Sequence, residues 1–230
     1  MFYDENKTMK ACEDDPSLIW ELIKEDLPEV VDKLLTKKII DINYTDQDGN
    51  DVLTVLLKKG YYDLVLKHMS NKEWNVNHQN SDGNTFAHIL VLINYVKVID
   101  IIKKLRKNLN FIPNIKNNKN ESILDKAIND SYIYTTVKIL EDKRFNNIDI
   151  LSFKNLYDTY IKTNNYGRYT KLTNLEVIID SLDEKSLLPK MDKLIKLIRA
   201  NFDIIKKEVV NNKTIVIDNI INELLEESNA

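Results

Sequence analysis

Cysteine occurs once in the 230 residues, at Cys12, which excludes an intramolecular disulfide and any multi-Cys metal site and fits a reducing compartment. Glycine and proline occur four times each, so there is little material for a Gly-rich phosphate cradle, and turns must be built from Asn and Asp instead. No stretch of 18 apolar residues exists to cross a membrane, and the start Met1-Phe2-Tyr3-Asp4-Glu5-Asn6-Lys7 lacks the apolar run of a secretory leader. An intracellular, cytoplasmic protein with no membrane partner is therefore expected. Neither sign of charge dominates: 33 Lys and Arg face 36 Asp and Glu, a formal net of -3. A nucleic-acid binder that neutralises phosphates carries a basic excess, so that class of partner is not expected. Gly-x-Ser-x-Gly and His-Glu-x-x-His motifs are missing too, and the reading is of a protein that is not an enzyme and uses no cofactor or metal.

What the chain does have is 43% hydrophobic and 30% charged residues, the balance of a folded chain. Asn (28) and Ile (29) are abundant, a bias that follows from AT-rich codons. Giant DNA viruses, poxviruses and some intracellular pathogens share that bias; an origin of this kind would place the protein in host cytoplasm. The strongest pattern is an internal echo. Asp46-Gln47-Asp48-Gly49-Asn50-Asp51 returns as Asn80-Ser81-Asp82-Gly83-Asn84-Thr85, and more faintly as Asn117-Asn118-Lys119-Asn120-Glu121-Ser122. Behind each turn an apolar segment opens with Ser, Thr or Asp, the residue types that cap helices. These openings are Ser17, Asp51, Thr85 and Ser122, spaced by 34, 34 and 37 residues. Seven residues past the Ile19, Leu53, Ala87 and Leu124 column comes Asp26, Gly60, Asn94 or Ser131, each able to make a tight or left-handed connection. Leu27, Tyr61, Tyr95 or Tyr132 follows, and then a second apolar pattern of helical period. Each unit thus reads turn, short helix, tight loop, longer helix and extended return, and a period in this range marks stacked units that cannot bury their apolar faces alone.

Asp41-Ile42-Asn43-Tyr44-Thr45-Asp46-Gln47-Asp48-Gly49, Thr85-Phe86-Ala87-His88 and Gly60-Tyr61-Tyr62-Asp63-Leu64-Val65 resemble the hairpin, first-helix start and second-helix start of ankyrin repeats. The resemblance covers roughly residues 15 to 150. It departs from the family where Leu18, Val52, Phe86 and Ile123 stand in place of its Pro and where Asn120 replaces the turn Gly. It implies an all-α, ankyrin-type solenoid with short hairpin loops, whose function is protein-protein recognition through a concave face. Carried over residue by residue, that face comprises Gln47, Asp48, Asn50, Lys58 and Lys59, then Ser81, Asp82, Asn84, Leu92 and Ile93, and then Asn118, Lys119, Glu121, Asn129 and Asp130. Leu92 and Ile93 are apolar where polar residues are expected, and either pack beneath their unit or anchor a partner. His88 is expected to be structural, bonding neighbouring loop backbone.

Along the chain, residues 1–14 read as a loose polar tail, 15–150 as about four repeats, 151–185 as a degenerate fifth, and 186–230 as a helical C-terminal cap. Leu187, Met191, Leu194, Ile198, Phe202, Ile205 and Val209 recur every three or four residues, as the seam of one long amphipathic helix. Two alternatives stand beside the binding module. One is a ubiquitin-ligase adaptor with an F-box-like C-terminal segment, weakly supported by Leu188-Pro189; the other is a structural protein that pairs through the long helix. A monomer is the favoured state, and the partner's identity is not legible. Cys12, flanked by Glu13 and Asp14, reads as an inert tail thiol, because acidic neighbours oppose thiolate formation.

Overall fold

Helix formation begins earlier than the charge of the first residues suggests. Asp4 accepts a hydrogen bond from the Lys7 amide and caps α1 (Glu5–Asp14). Met9 and Cys12, three residues apart, lie on the same face and are buried, and α1 packs on α2. The loose tail expected for residues 1–14 is corrected for Glu5–Asp14, which form this helix. The computed structural model describes residues 4–93, 98–129, 133–140, 144, 148–163, 166–183 and 189–227. Asn94, Tyr95, Asp130, Ser131, Tyr132, Leu187 and Leu188 lie outside them. The fold is predominantly helical, and the described residues contain no strand beyond two isolated bridges, Thr45 with Asp51 and Gln79 with Thr85.

Ser17, Asp51, Thr85 and Ser122 each stand immediately before a helix: α2 (Leu18–Lys24), α4 (Val52–Lys59), α6 (Phe86–Leu90) and α8 (Ile123–Asn129). The second helices are α3 (Pro28–Thr36), α5 (Tyr62–His68), α7 (Val98–Lys107) and α9 (Ile133–Leu140). Asp26 and Gly60 connect first to second helices with φ of 64° and 86°, the left-handed geometry their residue types permit.

The chain divides into two compact units, Met1–Ser122 and Ile123–Ala230. In the first, α4 packs on α6, α3 on α5 and α5 on α7. The aligned positions Ile19, Leu53 and Ala87 are all buried, as are Leu22, Leu56 and Leu90 one helical turn later. Trp74 sets its ring edge-on against Phe86, with centroids 5.1 Å apart, and donates Nε1–H to Asp51 Oδ2 at 2.7 Å. Asp51 Oδ1 meanwhile accepts the Thr54 amide at 2.7 Å, so one buried carboxylate both caps α4 and satisfies the indole.

In the second unit, α10 (Ile150–Tyr157) runs into a π-helical turn at Asp158–Lys162. That turn brings Tyr160 into the interior, where its hydroxyl donates to the Ala127 carbonyl at 3.1 Å and sits 3.0 Å from Thr136 Oγ1. α11 (Arg168–Asp183) packs on α9. After it come α12 (Pro189–Ala200), α13 (Phe202–Val210) and α14 (Ile215–Glu226); α12 and α14 pack on α10, and α13 on α11.

The long helix expected through Leu187 to Val209 is corrected to the pair α12 and α13. At Asn201 the backbone leaves the helical region (φ -107°, ψ 12°), and the side-chain amide donates back to the Leu197 carbonyl at 2.9 Å. Asn competes with the helix ladder in this way, and the break costs the seam little. Met191, Leu194, Ile198, Ile205 and Val209 are still buried, while Phe202 is half-buried with the Lys206 ammonium 4.7 Å from its ring centroid.

Candidate recognition surface

Three four-residue turns repeat one geometry. In the first, the Gly49 amide donates to the Asp46 carbonyl (3.0 Å) and the Asp46 amide to the Asn50 carbonyl (3.0 Å). In the second, Gly83 and Asn80 with Asn84 repeat both bonds at 2.8 and 2.9 Å; in the third, Asn120 and Asn117 with Glu121 do so at 2.9 and 2.9 Å. The leading side chain stabilises each turn from inside. Asp46 Oδ1 accepts the amides of Asp48 and Asn50, Asn80 Oδ1 those of Asp82 and Asn84, and Asn117 Oδ1 those of Lys119 and Glu121. The fourth residue has positive φ each time, 75° at Gly49, 74° at Gly83 and 61° at Asn120.

Successive turns are bonded to one another by a repeated pair of contacts. The Ser81 amide donates to the Asp48 carbonyl at 2.9 Å, and the Asn118 amide to the Asp82 carbonyl at 3.0 Å. Asn80 Nδ2 donates to Asn50 Oδ1, and Asn117 Nδ2 to Asn84 Oδ1, both at 2.9 Å. A second asparagine ladder runs through the loops that follow α3, α5 and α7. Asn43 donates Nδ2–H to the Glu73 carbonyl and accepts the Asn75 amide, and Asn77 does the same with the Asn110 carbonyl and the Ile112 amide. The turn-to-turn ladder uses Asn50 and Asn84, expected on the partner-facing surface, whereas its donors Asn80 and Asn117 and the second ladder's Asn43 and Asn77 are absent from the candidate residues. The signal was present in the 34-residue spacing of Asn43 and Asn77 and in the shared turn position of Asp46, Asn80 and Asn117.

The row leaves Gln47, Asp48, Ser81, Asp82, Asn118 and Lys119 exposed at the tips. Asn50, expected on the partner-facing surface, is instead 2% exposed, because Asp46 and Asn80 use its amide as the link between turns. Asn84 and Glu121 are half-buried for a related reason: Asn117 Nδ2 donates to both side chains. Lys58 and Lys59 are exposed in the last turn of α4. Leu92 and Ile93 are half-buried in the turn that ends α6, their amides bonded to the Ile89 and Leu90 carbonyls. Asn129 is exposed at the end of α8 in the C-terminal unit; Asp130 lies outside the described residues.

The three histidines serve the framework. His88 is fully buried; its Nδ1 accepts the Thr85 amide at 3.1 Å and its Nε2 lies 3.0 Å from the Glu121 carbonyl, which fixes the neutral tautomer with the proton on Nε2. His78 Nε2 reaches the Gly49 carbonyl at 2.8 Å, and His68 Nε2 the Asp32 carboxylate at 2.7 Å. Among the described residues no three His, Cys, Asp or Glu side chains gather in a way that could hold a metal ion, and no helix is long and apolar enough to cross a membrane. The tips carry hydrogen-bonding and charged groups of both signs, Asp48 and Asp82 beside Lys119, on turns whose backbone is bonded within and between them. No family model matches the sequence, and no curated protein matches it.

Proposed function

We propose that this chain is a divergent ankyrin-type repeat protein that acts, without catalysis, as an intracellular protein-protein recognition module. The supporting observation is the threefold recurrence of one turn geometry at the sequence period, with each turn bonded to the next. A row fixed in this way loses little conformational entropy on binding, and preorganised polar tips convert contacts into affinity more efficiently than mobile loops do. Gln47, Asp48, Ser81, Asp82, Asn118 and Lys119 are the residues through which a partner protein is read.

For the C-terminal helices the capping reading is favoured over a seam between copies. Met191, Leu194, Ile198, Ile205 and Val209, the residues such a seam would need, are buried within their own unit. The test is co-purification from source-cell lysate with the full chain and with an Asp48→Lys, Asp82→Lys, Lys119→Glu variant. Any protein recovered with the first should be lost with the second while circular dichroism and melting midpoint stay unchanged. Equal recovery by a folded variant removes the turn row as the binding surface.

A further inference from the structure

A cleft of about 660 Å³ opens in the N-terminal unit between the loop after α5 and the end of α7. Its walls include Met69, Trp74, Lys72, Lys104, Lys107 and Leu109, and no acidic side chain lines it. Its size suits a few side chains of a peptide. Glu73, the nearest carboxylate in sequence, is engaged elsewhere, 2.7 Å from Lys38 Nζ. Lys104 Nζ donates to the Leu66 carbonyl at 2.5 Å, so its charge is fixed in the wall. Lys72 and Lys107 are exposed, and among the described residues neither has a carboxylate partner. Leu109 is 96% exposed beside them, and Ile112 follows at 55%.

A lysine in the last turn of α7 complements the partial negative charge of that helix end. This accounts for Lys107 but not for Lys72, which comes from a different loop, nor for an aliphatic side chain held almost wholly in water. Three cations and an uncovered leucine around one concavity are complementary to carboxylates flanking an aliphatic group. Nucleic acid fits less well, because the cleft's aromatic residue, Trp74, is 5% exposed and committed to Asp51, leaving no stacking face. We propose that this cleft is a second docking site, which binds an acidic peptide segment carrying an aliphatic side chain. Carboxylates of the segment pair with Lys72 and Lys107, and its aliphatic group covers Leu109.

The test is selection of phage-displayed random dodecapeptides on the immobilised full chain, with counter-selection on the Lys72→Glu, Lys107→Glu variant, followed by anisotropy titration of the enriched peptides. Expected are peptides with two or more Asp or Glu around Leu, Ile or Phe. Their binding should weaken at least tenfold on the double charge reversal, several-fold on Leu109→Ser, and progressively with added salt. The Asp48→Lys, Asp82→Lys, Lys119→Glu variant should bind them unchanged, so this site and the turn row fail separately. No enrichment, neutral or basic consensus sequences, or equal binding by the charge-reversed protein overturns the proposal. So does a dodecauridylate that binds in a Lys72- and Lys107-dependent way while acidic peptides do not.

Discussion

Gly83 answers to two constraints, and they can be separated by comparison with Gly49. Both have φ near 75°, which an L side chain resists. A Cβ at Gly83 would also lie 2.5 Å from Asn118 Oδ1 and 2.7 Å from the Asn118 amide nitrogen, whereas at Gly49 the nearest atom, the Ser81 amide nitrogen, is 3.1 Å away. Gly83→Ala should therefore cost more than Gly49→Ala, with strain of about 1–3 kcal/mol for the backbone alone at each; equal urea midpoints for the two variants would contradict the close approach of the turns. Asp51 carries a different double duty, as cap of α4 and acceptor of the Trp74 indole. Asp51→Ala removes a cap worth about 1 kcal/mol. It also leaves a buried N–H without its acceptor at about 1–3 kcal/mol. A total loss of about 2–4 kcal/mol in a urea titration is the expected outcome.

Between elements, the acid sensitivity of the N-terminal unit is set in part where α3 meets α5. Burial pushes the Asp32 carboxyl upward, but hydrogen bonds from Lys67 and His68 outweigh it and hold its pKa below the ordinary value. A carboxyl whose folded pKa lies below its unfolded one, about 4, stabilises the fold in full above that pH and loses the contribution as pH falls through the folded value. The stability difference between the native chain and Asp32→Asn should accordingly shrink between pH 5 and pH 3. A difference that does not change over that range would remove the carboxylate from the account. α1 offers a simpler check. Burial, then the charge of Asp15, pushes the Cys12 thiol up. A thiol-reactive disulfide reagent should leave Cys12 unmodified in buffer and titrate it fully in urea. Prompt labelling of the folded protein would mean that α1 is undocked.

At the scale of the whole molecule, each of the two compact units buries apolar side chains of its own. Leu53 is fully buried in the first, at an aligned repeat position, and Lys58 is exposed on the same helix. Leu53→Ala should cost about 2–5 kcal/mol, and Lys58→Ala should stay within about 0.5 kcal/mol. Indistinguishable urea midpoints would refute the assigned faces of α4. The boundary between the units falls between Ser122 and Ile123, after the third turn and before the helix that follows it. No composition shift marks that point, because a turn and the helix behind it are written in the same residues wherever the helix packs.

Local rules made the helix starts legible. A residue of a type that caps helices stands ahead of an apolar pair at spacings of 34, 34 and 37 residues. Asp51 caps α4 and Thr85 shares a capping box with His88, whereas Ser17 makes no side-chain cap bond. Asp26, Gly60, Gly83 and Asn120 are residue types that accept positive φ, as they do here. These features depend on contacts a few residues apart, which sequence spacing encodes directly. What required the tertiary structure was the use of polar groups between elements. Asn50 reads as a surface residue until Asn80 is brought against it, and α1 reads as a tail until Met9 and Cys12 find a face to cover. The seam from Met191 to Val209 keeps its rhythm through a break that Asn201 makes with its own side chain, so periodicity alone could not see it. A polar side chain's burial is decided by whether a partner lies within about 3 Å, and the partners that link successive turns and loops here are some 30 to 37 residues away.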